Sequence, residues 1–91
     1  MASTPRVVVY HAAGCKLCER ALARVRGFRD ELEFELDEVA IDGDEDLEAR
    51  FREVIPVVEI DGELVFTYYV HESAFRRRIQ AAQTRLDEAS L

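Results

Sequence analysis

The sequence has little of what marks a large, secreted or membrane-spanning protein. It contains two cysteines, two prolines and one methionine, lacks tryptophan and shows no internal repeat. No apolar run approaches the roughly 20 residues that cross a bilayer, and no signal-peptide cleavage pattern precedes the first apolar run. We therefore expect no membrane association and a cytoplasmic location. Because 91 residues can bury only one small core, we also expect a single domain, 1–91, with its core over about 6–88.

Basic residues are outnumbered by acids, and the two kinds of charge are unevenly distributed. The net charge is −7, yet residues 30–63 hold fifteen acids and two arginines, so the remainder of the chain carries +6. So acidic a total argues against nucleic acid as a partner. Most bases fall in the first and last helical segments. If those helices share one face of a sheet, we expect a basic face that docks an acidic partner protein.

Both cysteines lie in one stretch, Gly14-Cys15-Lys16-Leu17-Cys18, between an apolar run and a helical pattern. If residues 16 onward form a helix, Cys15 lies at its N-terminus, where unpaired N–H groups and the helix dipole favour a thiolate. Cys18 follows one turn later, which allows the two sulfurs to form a disulfide. Lys16 is a candidate for lowering the Cys15 pKa, with a plain exposed helix residue as the alternative, and Gly14 leaves room for a partner to approach. Both are also candidate substrate-binding residues. The stretch predicts a site of thiol–disulfide exchange.

The first half of the chain reads as strand, helix, strand. Residues 6–11 hold three consecutive β-branched valines and show no alternation of apolar and polar residues, which is typical of a central strand buried on both faces. Apolar positions then recur at steps of three and four from Cys18 to about residue 31, as in a helix that packs on a sheet. Residues 34–41 alternate like a strand, but the alternation shifts phase at Val39. An extra residue would produce this shift, so we predict a bulge in the second strand.

The second half reads as helix, hairpin, helix. Asp44 can cap a short helix, which must end before Pro56. Asp61-Gly62 separates two apolar runs and fits a two-residue type I′ turn. A final helix over 72–88 carries one apolar face, which consists of Phe75, Ile79, Ala82 and Leu86. The order β-α-β-α-β-β-α predicts an α/β fold, with a four-stranded mixed sheet covered by helices on both faces.

Three motifs stand in a characteristic order in this chain: a Cys-x-x-Cys turn after strand one, an Ile-Pro pair before strand three and an Asp-Gly turn in the hairpin. They are Cys15-Lys16-Leu17-Cys18, Ile55-Pro56 and Asp61-Gly62. With them, residues 6 to about 86 resemble the glutaredoxin branch of the thioredoxin fold, and more narrowly the small bacterial glutaredoxin-like proteins. The resemblance implies a thioredoxin-like fold of the glutaredoxin type and a thiol–disulfide oxidoreductase.

The resemblance also implies roles for individual residues. Cys15 would attack a substrate disulfide as the thiolate, and Cys18 would resolve the mixed disulfide. Pro56 would be cis, in a loop that faces the cysteines and presents the backbone of Ile55 to the substrate, with Tyr68 as a further substrate-binding residue. The expected partner is a protein or small-molecule disulfide. No cofactor is expected, and a low-molecular-weight thiol such as glutathione is the candidate co-substrate.

The chain departs from glutaredoxins at three places. Lys16 and Leu17 stand where glutaredoxins usually carry a proline and an aromatic, and Ile55 stands where a threonine commonly precedes the cis-proline. Residues 66–70 replace the glycine pair and following acid that glutathione-binding glutaredoxins share. These departures leave the redox partner unnamed.

Two other functions fit the same residues. A non-catalytic module could keep the fold and use the loops around the cysteines to bind a protein. A metal site could use Cys15 and Cys18 with His11 or His71 as ligands for zinc or copper. His11 is also a candidate proton acceptor at the end of strand one, because a histidine titrates near neutral pH.

Overall fold

The computed structural model describes the backbone of residues 4–89 and the side chains of residues 4–84. The elements follow the predicted order β-α-β-α-β-β-α. They are β1 (Arg6–His11), α1 (Lys16–Phe28), β2 (Glu35–Ala40), α2 (Glu45–Phe51), β3 (Val57–Ile60), β4 (Glu63–Thr67) and α3 (Glu72–Ala89). Within the described residues, no helix is both long and apolar enough to cross a membrane.

The four strands form one mixed sheet in the order β2-β1-β3-β4. β1 runs parallel to β2 and antiparallel to β3, and β4 runs antiparallel to β3. The centre of β1 is apolar because helices cover both of its faces: Val7 and Val9 are fully buried on one side. On the other side the Tyr10 ring packs on Phe51 of α2, with centroids 4.6 Å apart. The predicted mixed sheet with helices on both faces is confirmed.

Helices α1 and α3 share one face of the sheet, as predicted. Phe75 of α3 is fully buried between them, with its ring centroid 4.8 Å from that of Phe28 and 5.5 Å from that of Phe34. Burial of such aromatic rings supplies most of the free energy that holds a small core together. Ile79 and Ala82 continue the apolar face of α3. The side chain of Leu86, predicted on the same face, lies outside the described residues.

Strand β2 has no bulge, so that prediction was wrong. Its pairing with β1 is unbroken from Arg6 and Glu35 to His11 and Ala40. Directly paired residues point to the same face of a sheet. Leu36, opposite the buried Val7, therefore faces α1 and α3, whereas Val39, opposite Tyr10, faces α2. The phase shift reflects a change of buried face along the strand rather than an extra residue.

The β3–β4 hairpin carries the turn that the sequence predicts. Asp61 and Gly62 both have positive φ, 50° and 83°, as a type I′ turn requires. The sheet irregularity lies in this hairpin, because Val58 pairs with Phe66 while Glu59 pairs with Leu64. The extra residue is therefore in β4, an edge strand, where bulges are common.

Local signals set the helix ends close to their predicted positions. The Oδ1 of Asp44 accepts a hydrogen bond from the N–H of Leu47 at 3.1 Å, which confirms Asp44 as the cap of α2. α1 ends at Phe28, earlier than the predicted residue 31. Gly27 has low helix propensity, and the chain leaves the helix through a turn in which Leu32 donates to the Phe28 carbonyl at 2.8 Å.

Candidate functional site

Four loops meet at one edge of the sheet, and both cysteines lie there. β1 ends at His11 beside the end of β2, and antiparallel pairing places the start of β3 and the end of β4 at the same edge. Consequently the loops over 12–15, 41–44, 52–56 and 68–71 are neighbours. The topology thus gathers Cys15, Ile55, Pro56 and Tyr68, which are far apart in sequence, into one region.

Cys15 and Cys18 form a disulfide, with their Cα atoms 5.1 Å apart. Cys15 is the N-cap residue of α1, and its Sγ accepts a hydrogen bond from the N–H of Cys18 at 3.1 Å. Cys18 is only 1% exposed, whereas Cys15 is partly exposed. A partner can therefore reach the outer sulfur of Cys15, while the inner sulfur is protected by the core.

The loop before the cysteines is shaped by a glycine and by one contact with the loop that follows β2. Gly14 has a φ of +73°, which L side chains rarely adopt, and an added Cβ would meet no atom within 4 Å. Backbone conformation therefore requires glycine here, and the space beside it is open. The Oδ2 of Asp42 accepts a hydrogen bond from the N–H of Ala13 at 3.0 Å. Sequence reasoning gave Asp42 no role at the site and missed this contact.

On the α2 side, Cys15 opens onto a shallow cavity of about 310 Å³, which Gly14 and Ile55 also line. The Ile55–Pro56 peptide bond is cis, as the resemblance implied. Pro56 itself is buried and Ile55 is half-buried. Three charged side chains complete the wall of this cavity, and sequence reasoning did not place them there: Asp42, Glu48 and Arg52.

On its other side, the Cys-x-x-Cys turn borders a larger groove of about 460 Å³ between α1 and the loop that leads into α3. Leu17, which lies between the cysteines, forms the near end of the groove. Arg20 and Arg24 line it along α1, and the opposite wall includes Tyr68 and Tyr69. Sequence reasoning named Tyr68 as a substrate-binding residue and included the two arginines only in the general basic face of the first and last helices. Their spacing of four residues places them on one helix face.

Tyr68 connects the groove to the cis-proline loop. Its hydroxyl donates a hydrogen bond to the Glu53 carbonyl at 2.9 Å, and its backbone N–H donates to the Pro56 carbonyl at 3.0 Å. Its φ is +65°, which is uncommon for a bulky side chain. The surrounding contacts hold Tyr68 in this conformation, and the residue is 42% exposed.

The face formed by α1 and α3 is less uniformly basic than the sequence indicates, because the sheet brings acids to it. Arg26 pairs with Glu38 of β2, Arg76 with Glu31, and Arg78 with Glu63 of β4 at 2.7 Å. The hydrogen bond from Arg26 holds the pKa of Glu38 below its usual range, against a smaller opposing effect of burial. Among the described residues, three bases of α1 have no carboxylate within 4 Å: Lys16, Arg20 and Arg24. Arg52, in the cavity that Cys15 lines, has none either.

The two histidines differ in their relation to the cysteines. His11 lines neither of the cavities that border the Cys-x-x-Cys turn. His71 is exposed and lines the larger groove. Within the part of the chain that the structure describes, no three His, Cys, Asp or Glu side chains are grouped so that they could hold a metal ion.

A sheet of this topology, with a Cys-x-x-Cys disulfide at the start of α1, defines a protein of the thioredoxin-fold class. Residues 6–91 match the model of the Glutaredoxin-like domain (DUF836), so the chain belongs to this family. No curated protein matches it.

Solved structures similar to this chain agree with the fold. The solution structure of protein Ne2328 from Nitrosomonas europaea is 26% identical, covers 86% of this chain and 94% of its own, and gives a TM-score of 0.73. Thioredoxin from Fasciola hepatica is 24% identical over 86% of this chain and 80% of its own, with a TM-score of 0.58. A thioredoxin variant from Halobacterium salinarum is 18% identical over 87% of this chain and 74% of its own, with a TM-score of 0.65.

Proposed function

We propose that this protein is a thiol–disulfide oxidoreductase that reduces disulfides with its Cys15–Cys18 pair. The observation that carries the proposal is the position of the two sulfurs. Cys15 caps α1 and is accessible, whereas Cys18 is buried and bonded to it. A helix N-terminus stabilises a thiolate, and a thiolate is the nucleophile in thiol–disulfide exchange.

In the reduced protein, the Cys15 thiolate attacks one sulfur of the substrate disulfide. A mixed disulfide forms between Cys15 and that sulfur, and the other substrate sulfur leaves as a thiolate, which takes a proton from water. Cys18 then loses its proton and attacks the Sγ of Cys15. The Cys15–Cys18 disulfide forms and the second substrate thiolate leaves, so that two electrons pass to the substrate. A dithiol reductant restores the two thiols by the same steps in reverse.

The surroundings of Cys15 suit a disulfide-bearing substrate. Cys15 lines the open cavity beside Ile55, and Leu17, which lies between the two cysteines in sequence, lines the open groove on the other side of the turn. A chain bound in the first cavity would pass close to Cys15. A protein disulfide and a small disulfide such as oxidised glutathione are both candidate substrates, and no cofactor is needed in the exchange steps.

A turnover assay tests the proposal. With dithiothreitol as the dithiol reductant, the wild type should accelerate reduction of insulin disulfides above the rate with dithiothreitol alone. Cys15→Ser should abolish the acceleration, because it removes the attacking sulfur. The wild type at the dithiothreitol background rate would contradict the proposal and favour a binding module. Because the chain has no third cysteine, the serine variants leave one thiol each and no competing pairing.

A further inference from the structure

Three bases of α1 form a stripe beside the disulfide in an otherwise acidic protein. Lys16, Arg20 and Arg24 recur every four residues, so they lie along one side of the helix. These three residues are the basic stripe. No described carboxylate lies within 4 Å of any of them, in contrast to the paired Arg26 and Arg76 of the same sheet face. The stripe is therefore available to an external anion.

The wall opposite the stripe is aromatic. Tyr68 and Tyr69 are 42% and 60% exposed, and they are two of the three large apolar side chains that are exposed among the described residues. Tyr68 is fixed by its hydrogen bonds to the loop before Pro56. The carboxylate of Glu72, also in this wall, lies 3.6 Å from Arg76, which also pairs with Glu31, so the charge of Glu72 is only partly offset. The groove thus combines a rigid apolar surface with cationic side chains.

We infer that this groove binds an acidic polypeptide segment next to the disulfide of a substrate protein. The inference rests on the proposed function, because the occupant must bring a disulfide to Cys15. Leu17 lies at the near end of the groove, between the two cysteines, so a chain that leaves the substrate sulfur enters the groove there. Arg20 and Arg24 then meet its carboxylates, and the tyrosine rings contact its apolar side chains.

The helix geometry sets the position of the acids in the bound segment. α1 rises about 1.5 Å per residue, so Arg20 and Arg24 lie about 8 Å and about 14 Å along the helix from Cys15. An extended chain advances about 3.3 Å per residue. The carboxylates should therefore stand about two to four residues from the substrate cysteine, on one side of it.

Fluorogenic peptide disulfides of three designs test this inference. The first, the near-acid peptide, carries two glutamates, two and four residues from the cysteine. It is made in two versions, with the glutamates on the N-terminal or on the C-terminal side of the cysteine. The second carries glutamines at the same positions, and the third carries the glutamates eight and ten residues away. Reduced wild-type protein at low ionic strength should reduce the best near-acid peptide about ten-fold faster than the other two, since steering by complementary charge raises association rates by that order.

Substitutions in the groove test whether its arginines cause the preference for the near-acid peptide. The double variant Arg20→Gln with Arg24→Gln should remove the preference, so that the near-acid peptide and the glutamine peptide are reduced at equal rates. Arg77→Gln is the matched control, because Arg77 is an exposed base of α3 that does not line the groove. It should keep the preference. Added salt should reduce the preference in the wild type, because exposed charges are screened.

The outcomes separate the inference from the proposed function. No reduction of any peptide by the wild type would contradict the proposed function itself. If the wild type reduces all three peptides at equal rates, the proposed function stands, but the inference that the groove binds an acidic segment is overturned. The reduction rate of oxidised glutathione gives a further test. If the double arginine variant loses as much of this rate as it loses with the near-acid peptide, the inference is also overturned, because the groove would then serve a small anionic disulfide rather than a polypeptide.

Discussion

The backbone N–H of Cys18 donates a hydrogen bond to the Sγ of Cys15 at 3.1 Å, so the accessible sulfur is also the cap of α1. An N-cap side chain satisfies one of the N–H groups that a helix leaves unpaired at its start. Once the disulfide is reduced, the same N–H group and the helix dipole favour negative charge on Cys15. One local arrangement therefore serves both the helix and the nucleophile.

This arrangement predicts that the pKa of Cys15 in the reduced protein is below the value of about 8.5 for a free thiol. The pH dependence of alkylation by iodoacetamide in the Cys18→Ser variant measures it, since only Cys15 then reacts. The rate should rise with pH to a midpoint below 8.5 and then level off. Cys15→Ser is the control: Cys18 is 1% exposed and should react slowly at every pH. A Cys15 midpoint at or above 8.5 would contradict the expected thiolate stabilisation.

Asp42 is expected to hold the loop before Cys15 through its bond to the N–H of Ala13. Asp42→Ala removes the acceptor, and a bond of this kind contributes about 1 kcal/mol. Hydrogen exchange at the Ala13 amide should accelerate several-fold. Asp42→Asn keeps a carbonyl oxygen at the same place and should retain the protection. Equal protection in all three proteins would show that the contact does not restrain the loop.

Phe75 should be among the most costly positions to truncate, because its ring is fully buried against Phe28 and Phe34. Phe75→Ala should lower the free energy of unfolding by about 3–5 kcal/mol, as other buried aromatic truncations do. Urea denaturation measures the loss. If Phe75→Ala does not fold, Phe75→Leu is measured instead and should show a smaller loss. Tyr69→Ala, at a ring that is 60% exposed, should change the stability by less than about 0.5 kcal/mol. Similar losses at the two positions would contradict the described core.

The ion pair of Arg26 with Glu38 predicts a pH effect of definite sign. The pKa of Glu38 in the folded protein is lowered from an ordinary 4.5, chiefly by the hydrogen bond from Arg26. A lowered pKa in the folded state means that the stabilisation is present above pH 4.5 and is lost as the pH falls through the folded value. NMR titration of Arg26→Gln should show the pKa of Glu38 rising towards its ordinary value, while Arg77→Gln should leave it unchanged. An unaltered Glu38 titration in Arg26→Gln would refute this cause.

The features that sequence predicted best depend on short-range chemistry. Asp44 caps α2 and Asp61 turns the hairpin because each residue acts on backbone within a few positions of itself. The continuous apolar run of β1 likewise indicated a strand covered on both faces. The placement of Cys15 at the start of α1 followed from the helical pattern that begins just after it.

The features that sequence did not predict depend on which segments become neighbours. The phase shift in β2 was read as a bulge because periodicity cannot distinguish an extra residue from a change of buried face. The pairing of Arg26 with Glu38 arises only when β2 lies beside β1 under α1. Likewise, the groove exists only because the loop with Tyr68 returns beside α1. The regular spacing of the basic stripe was visible in the sequence, but its aromatic partner wall was not.

Trapping the exchange intermediate tests the central claim most directly. Each reduced serine variant is exposed to oxidised glutathione, and its intact mass is then measured. Cys18→Ser should gain one glutathione on Cys15, because the mixed disulfide forms and nothing resolves it, while Cys15→Ser should stay unmodified. The wild type should return to the Cys15–Cys18 disulfide with no adduct retained. If Cys18→Ser stays reduced while a small alkylating reagent still reaches Cys15, the sulfur is accessible but not activated, and the protein does not act by the exchange proposed here.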